Sequence, residues 1–197
     1  MSYLRTPDGD DAARLYDTDR AAQGFVANYT TVFAHSPAVY AAWQQLNAAI
    51  KEGMDLRRYE LATLAAARHL RSSYCALAHG QVLRDRFYDT DTVRELATDH
   101  NAAGLDPADA AIMDFAERVA ADAPGITADD IDRLREHGLS DADVFQVVLA
   151  AAARCFFSTV LDAVGAEPDA HYRTTIEPDL RPVLTVGRPI AEPDDAG

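Results

Sequence analysis

The sequence predicts an all-α protein folded as one helical bundle with an extended C-terminal arm, and three observations carry that reading. The composition is rich in Ala, a strong helix former, and poor in β-branched runs. Helix start and stop signals recur along the chain, while strand pairs, internal repeats and domain linkers are missing from the pattern. At 197 residues the length suits one domain of ordinary size, able to bury a real core.

Residues 1 to 9 read as a loose arm. A helix is predicted from about Asp10 to Ala22, with Ala12, Ala13, Leu15 and Tyr16 as its apolar members, and Gly24 breaks it. Phe25 to Phe33 reads as a short helix or turn. Ser36-Pro37 then signals a start, Ser as cap and Pro at the first helical position. The helix that follows runs to about Lys51, with Tyr40, Trp43, Leu46 and Ile50 on one face, and Gly53 ends it. Asp55 can cap the next helix, which carries Glu60 and reaches the polar turn Arg71-Ser72-Ser73. Another helix starts near Ser73 and continues through Val82, Leu83 and Phe87. A short one spans Asp91 to Thr98, and Asp106-Pro107 opens the next, closed by Pro124-Gly125. Thr127 to Asp130 is nearly a capping box. Ser140 caps a long helix to about Val164, apolar nearly all round and therefore central or in a subunit interface. From Glu177 the chain is punctuated by Pro178, Pro182, Pro189 and Pro193, which predicts an extended backbone. The organisation expected is a helical domain over residues 1–175 and a Pro-rich arm over residues 176–197.

Charge and cysteine usage narrow the function classes. A formal net charge of −14 argues against nucleic acid or an anionic membrane as the main partner. No uninterrupted run of about 18 apolar residues occurs, and the opening residues are acidic, unlike a signal peptide. Two cysteines without an export signal point to a reducing cytoplasm.

Chemistry concentrates between Glu60 and His79. Glu60 lies in a helix that is apolar almost all round (Leu61, Ala62, Leu64, Ala65, Ala66, Ala67), where a carboxylate needs a partner or a task. Cys75 falls in the first turn of the following helix, where unpaired N–H groups and the helix dipole favour a thiolate. His79 is four residues on and shares that face. An imidazole beside such a thiol is how a cysteine becomes a nucleophile, and Glu60 across from His79 would orient the ring and stabilise its protonated form. Ser72 is a cap or a hydrogen-bond partner of the Cys75 sulfur; Tyr74 is a packing ring or an acid; Cys155 is core filler or a distant resolving thiol. His69, His100, His137 and His171 have no neighbours at ligand spacing, so neither a metal nor another cofactor is expected.

Glu60 followed by Tyr74-Cys75-x-x-x-His79 resembles the carboxymuconolactone decarboxylase and alkylhydroperoxidase D-like family. Gly24 to Tyr29, Ala34 to Ala38 and Leu161 to Gly165 extend the resemblance over roughly residues 15 to 170. It implies an alkylhydroperoxidase D-like bundle that assembles into homo-oligomers, with a Glu60–His79–Cys75 relay that reduces hydroperoxides. The peroxidase branch carries Cys-x-x-Cys-x-x-x-His, and the first of those cysteines falls at Ser72, so no disulfide forms within the motif. Resolution is then expected from an external thiol or Cys155. The decarboxylase branch implies an alternative in which Glu60 and His79 act as base and acid on a small carboxylated molecule. A non-enzymatic oligomer is the third reading. In the arm, Leu184-Thr185-Val186-Gly187 resembles the targeting peptides that hold cargo inside encapsulin shells; packing on its own domain or on a neighbouring subunit, and plain disorder, are the other readings.

Overall fold

The computed structural model describes residues 2–193, and all regular structure among them is helical. The helices are α1 (Asp10–Gln23), α2 (Asn28–Phe33), α3 (Pro37–Glu52), α4 (Leu56–His69), α5 (Ser73–Arg86), α6 (Thr90–Asp99), α7 (Pro107–Asp122), α8 (Ala128–Glu136), α9 (Asp141–Ala163), α10 (Tyr172–Thr175) and α11 (Arg181–Leu184). A 3₁₀ turn at Ala123–Gly125 links α7 to α8.

Local chemistry sets the starts. The Asp55 carboxylate accepts from Arg58 N–H, Asp89 from Thr92 and Asp106 from Ala108, each satisfying a donor the helix cannot. Ser140 and Asp143 close a reciprocal capping box on α9, and Thr127 with Asp130 does so on α8. Ser36 and Ser72 occupy cap positions, but neither hydroxyl makes the capping hydrogen bond, so there the predicted device is absent.

Helix α4 is the axis of the bundle. Every residue from Tyr59 to Ala67 is buried, because α5, α7 and α9 pack against it on different sides. Alanines at 62, 65, 66 and 67 let those helices approach closely, while Leu61 and Leu64 fill the space between. Burying each such leucine fully is worth about 1.5–3 kcal/mol. Its start is pinned to α7 by Arg57 and Arg58, both ion-paired to the buried Asp109. Helix α9 is long and apolar enough to cross a membrane, but half of that stretch is buried within the protein, the pattern of a core helix.

The arm corrects the extended reading. Arg181–Leu184 is a helical turn, which Pro182 tolerates because a first turn asks no N–H of it. Leu184 is fully buried in a notch at Gly80, where a Cβ would come within 2.7 Å of the leucine side chain. Gly187 N–H donates to Ser73 Oγ at 2.7 Å, and a Cβ on Gly187 would lie 1.9 Å from the Arg71 carbonyl oxygen. Arg173 donates to the carbonyls of Ile190 and Ala191, both at 2.8 Å. The N-terminal residues, read as loose, are tethered too: Tyr3 N–H bonds to Val164 O at 2.7 Å, and Arg188 donates to the Tyr3 hydroxyl.

Candidate active site

The last turn of α3, the first half of α4, the first two turns of α5 and the middle of α9 meet inside the bundle. Helix α4 brings Tyr59 and Glu60, α5 brings Cys75 and His79, and α9 brings Arg154 and Ser158. The α5 and α9 pairs are each four residues apart, so one face of each of those helices serves the site, while Tyr59 and Glu60 are adjacent on the fully buried α4. Lys51 reaches in from α3.

Glu60 and His79 are brought together as the sequence implies. His79 Nδ1 lies 2.5 Å from Glu60 Oε2, and Lys51 Nζ lies 3.4 Å from Glu60 Oε1. Burial pushes the Glu60 carboxyl up, but His79 and then Lys51 outweigh it and hold Glu60 below its ordinary range, ionised at neutral pH. Burial pulls His79 down, the positive charges of Arg154 and Lys51 act the same way, and Glu60 opposes them without prevailing. The ring is therefore neutral near pH 7. A carboxylate can only accept, so Nδ1 carries the proton and Nε2 presents its lone pair as a base. Glu60 thus orients the ring without keeping it protonated.

Cys75 is 1% exposed. Its sulfur has two hydrogen-bond partners among the described residues, Arg154 Nη1 at 3.4 Å and Ser158 Oγ at 3.2 Å. His79 stands one helical turn along α5 but makes no hydrogen bond to the sulfur. Arg154 is itself 4% exposed; its Nη2 donates to the Tyr59 hydroxyl at 3.3 Å, and that hydroxyl bonds to Asn47 Oδ1 at 2.7 Å. Burial disfavours the Arg154 charge, yet the Cys75 sulfur and Tyr59 oxygen beside it more than compensate, and the guanidinium is held above its ordinary range.

Three residues singled out from the sequence take other places. Ser72 is fully buried and near Asp162, and its hydroxyl makes no bond to Cys75. Tyr74 is a structural ring: its hydroxyl donates to the Asp169 carboxylate and accepts from Tyr29 N–H at 3.3 Å, which ties α5 to the segment after α9. Cys155 is half-buried and free, with burial pushing its thiol up. One residue along α9 from Arg154, it is turned about 100° away from the site face. Among the described residues no group of three His, Cys, Asp or Glu side chains could hold a metal ion.

Sequence reading missed Arg154, Ser158, Tyr59 and Lys51. One signal was present: Arg154 is the lone charged residue between Asp143 and Asp162, and a single charge inside a helix read as buried needs a partner.

Residues 37–118 match the model of the carboxymuconolactone decarboxylase family. None of the curated proteins matches the chain in sequence. Solved structures do match in fold. One is an uncharacterized peroxidase-related protein with an alkylhydroperoxidase AhpD core from Ralstonia eutropha JMP134, 22% identical, at a TM-score of 0.76 over 95% of this chain and 98% of that one. A peroxidase-related protein from Silicibacter sp. TM1040 is 21% identical, with a TM-score of 0.78 over 88% and 94% of the two chains. The debrominase Bmp8 is 14% identical in its complex with 2,3,4-tribromopyrrole, with a TM-score of 0.71 over 89% and 94%. At these identities the likeness is one of fold. The stretch that matches the carboxymuconolactone decarboxylase family model holds Glu60, Cys75 and His79, and the chain has the alkylhydroperoxidase D-like fold.

Proposed function

We propose that the protein is a thiol-dependent peroxidase-like oxidoreductase with Cys75 as the nucleophile. The observation that carries this reading is the buried Glu60–His79 pair, 2.5 Å apart, one helical turn from the Cys75 thiol. His79 Nε2 takes the thiol proton, and the sulfur attacks the terminal oxygen of a hydroperoxide. The O–O bond breaks, Cys75 becomes a sulfenic acid, and the leaving alkoxide takes the proton back from His79 as an alcohol. Sulfur is oxidised by two electrons and the peroxide reduced by two. An external thiol then attacks the sulfenic sulfur and water leaves. A second thiol releases Cys75 and carries off the mixed partner as a disulfide. The outward position of Cys155 favours an external reductant over an internal one.

Trapping Cys75 sulfenic acid after addition of hydrogen peroxide, read by mass spectrometry, tests this. Modification at Cys75, lost in Cys75→Ser, is expected; an unmodified Cys75 under turnover sinks the reading. The family match supports a second chemistry, with Glu60 and His79 as base and acid on a carboxylated substrate. Activity surviving in Cys75→Ser would select it.

A homo-oligomer is part of this proposal. Helices α3 and α9 leave an open apolar groove of about 440 Å³ between Trp43, Leu46, Leu149 and Phe156. A monomeric mass by light scattering would exclude it. As for the arm, Leu184 is seated on α5, so shell targeting would require its release. Deletion of residues 182–197 separates the roles: a lower melting temperature marks a structural arm, while loss of shell co-purification from an intact protein marks a targeting one.

A further inference from the structure

Arg154 poses an electrostatic problem that the proposed relay does not solve. A guanidinium stays protonated in proteins, and a buried one needs an opposite charge. Among the described residues no carboxylate lies within ion-pair distance of it. Its neighbours are Cys75 Sγ at 3.4 Å, the Tyr59 hydroxyl at 3.3 Å and the face of the Phe157 ring at 5.5 Å.

The candidates for a compensating anion can be taken in turn. Glu60 is engaged by His79 and by Lys51. Tyr59 is kept protonated by burial, and its hydroxyl bonds to Asn47. Tyr172, from the segment packed beyond Cys75, is pushed up by burial and then by Asp169 and stays neutral. Cys75 is left. Its sulfur faces two donors, the guanidinium and the Ser158 hydroxyl at 3.2 Å.

We infer that Arg154 is the counter-ion of Cys75, stabilising the thiolate formed when His79 takes the thiol proton, with Ser158 completing the cradle. Arg154 itself carries none of that proton. What His79 governs is proton traffic; what Arg154 governs is where the sulfur ionises. The inference rests on Cys75 being the reacting atom of the proposed peroxidase, but its test uses no peroxide.

The test is the rate of iodoacetamide alkylation of Cys75 against pH, with site occupancy read by mass spectrometry. In the parent, alkylation is expected to be fast already at neutral pH. In Arg154→Met the profile should move to higher pH by about one unit or more, a tenfold rate loss at neutral pH. Arg154→Lys should recover most of it, whereas a role in packing alone would be restored better by Met. His79→Ala should move the profile less than Arg154→Met does. An Arg154→Met profile that overlays the parent overturns the inference. If that variant does not fold, the ultraviolet thiolate absorbance of the parent minus that of Cys75→Ser decides: a Cys75 signal that rises only near the ordinary ~8.5 also overturns it. Failure of sulfenic acid trapping with an intact Arg154 dependence would instead refute the peroxidase reading alone.

Discussion

Along α9, Val147, Ala151, Arg154, Ser158 and Leu161 face the core, whereas Phe145, Leu149, Ala152 and Phe156 face outward, the last three beside α3. Both stripes follow helical spacing and both are mostly apolar. The inner one holds a buried cation and a hydroxyl; the outer one holds two phenylalanines, with Phe145 59% exposed. Polar chemistry thus lies on the face that excludes water, where charges act strongly, and apolar surface lies on the face that meets it. The inner polar groups find their partners inside the protein, and the outer apolar stripe is the surface on which the proposed homo-oligomer would form.

Substitutions on the two stripes should separate by size of effect. Leu161→Ala removes a fully buried side chain and should cost about 2–5 kcal/mol in urea denaturation. Phe145→Ala, on the outer stripe, should stay within about 0.5 kcal/mol at concentrations where the protein is a monomer. Equal losses would erase the distinction between the faces. Charge on the outer stripe sharpens it differently. Phe156→Glu should leave the monomer folded by circular dichroism and lower the mass seen by light scattering; an unchanged mass would mean that this groove does not carry the assembly.

A smaller effect concerns access to the inner stripe. Cys75, Ser158 and Glu60 are each about 1% exposed, and His79 and Lys51 are the site residues nearest the surface. Hydrogen peroxide should therefore oxidise Cys75 about tenfold faster than a bulky organic hydroperoxide, a difference of roughly 1.4 kcal/mol in barrier. Stopped-flow rates under single turnover measure this, and a preference for the bulky oxidant would require an opening the resting structure lacks.

How legible all this was from the sequence follows from what periodicity can carry. Helix periodicity and caps placed α3, α4, α7 and α9 within a residue or two, because apolar spacing and Asp or Ser starts are local signals. The Glu60–His79 contact was legible only through the motif, since it joins residues on two helices. Ser72 sits at the cap position read from the sequence but makes no capping bond, because the position alone does not compel one. Arg154 escaped because composition averages a single charge away within an apolar helix, although that isolation was itself the clue. The arm was misread because Pro182 suggested extension, whereas at a helix start proline is compatible with a turn.

The smallest predicted effect is on stability against pH, and it concerns the other half of the site. His79 is held below its ordinary value by burial, and Glu60 below its own by His79 and Lys51. A group with a depressed folded value contributes stability that is complete above its unfolded value and fades as pH falls through the folded one. For His79 that loss begins below about pH 6.5, and for Glu60 below about 4.3. Each can change stability by at most about 1.4 kcal/mol per pH unit. Comparing each variant with the parent cancels the other titrating groups: Asp162 and Asp169, both raised by burial, act in the opposite sense and are common to parent and variant. His79→Gln should flatten the fall in melting temperature just below pH 6.5 relative to the parent, and Glu60→Gln should flatten the part below about 4.3. If the parent instead gains stability on acidification through the upper window while His79→Gln does not, the imidazole is held protonated in the fold, and the neutral ring assigned here as the base is wrong.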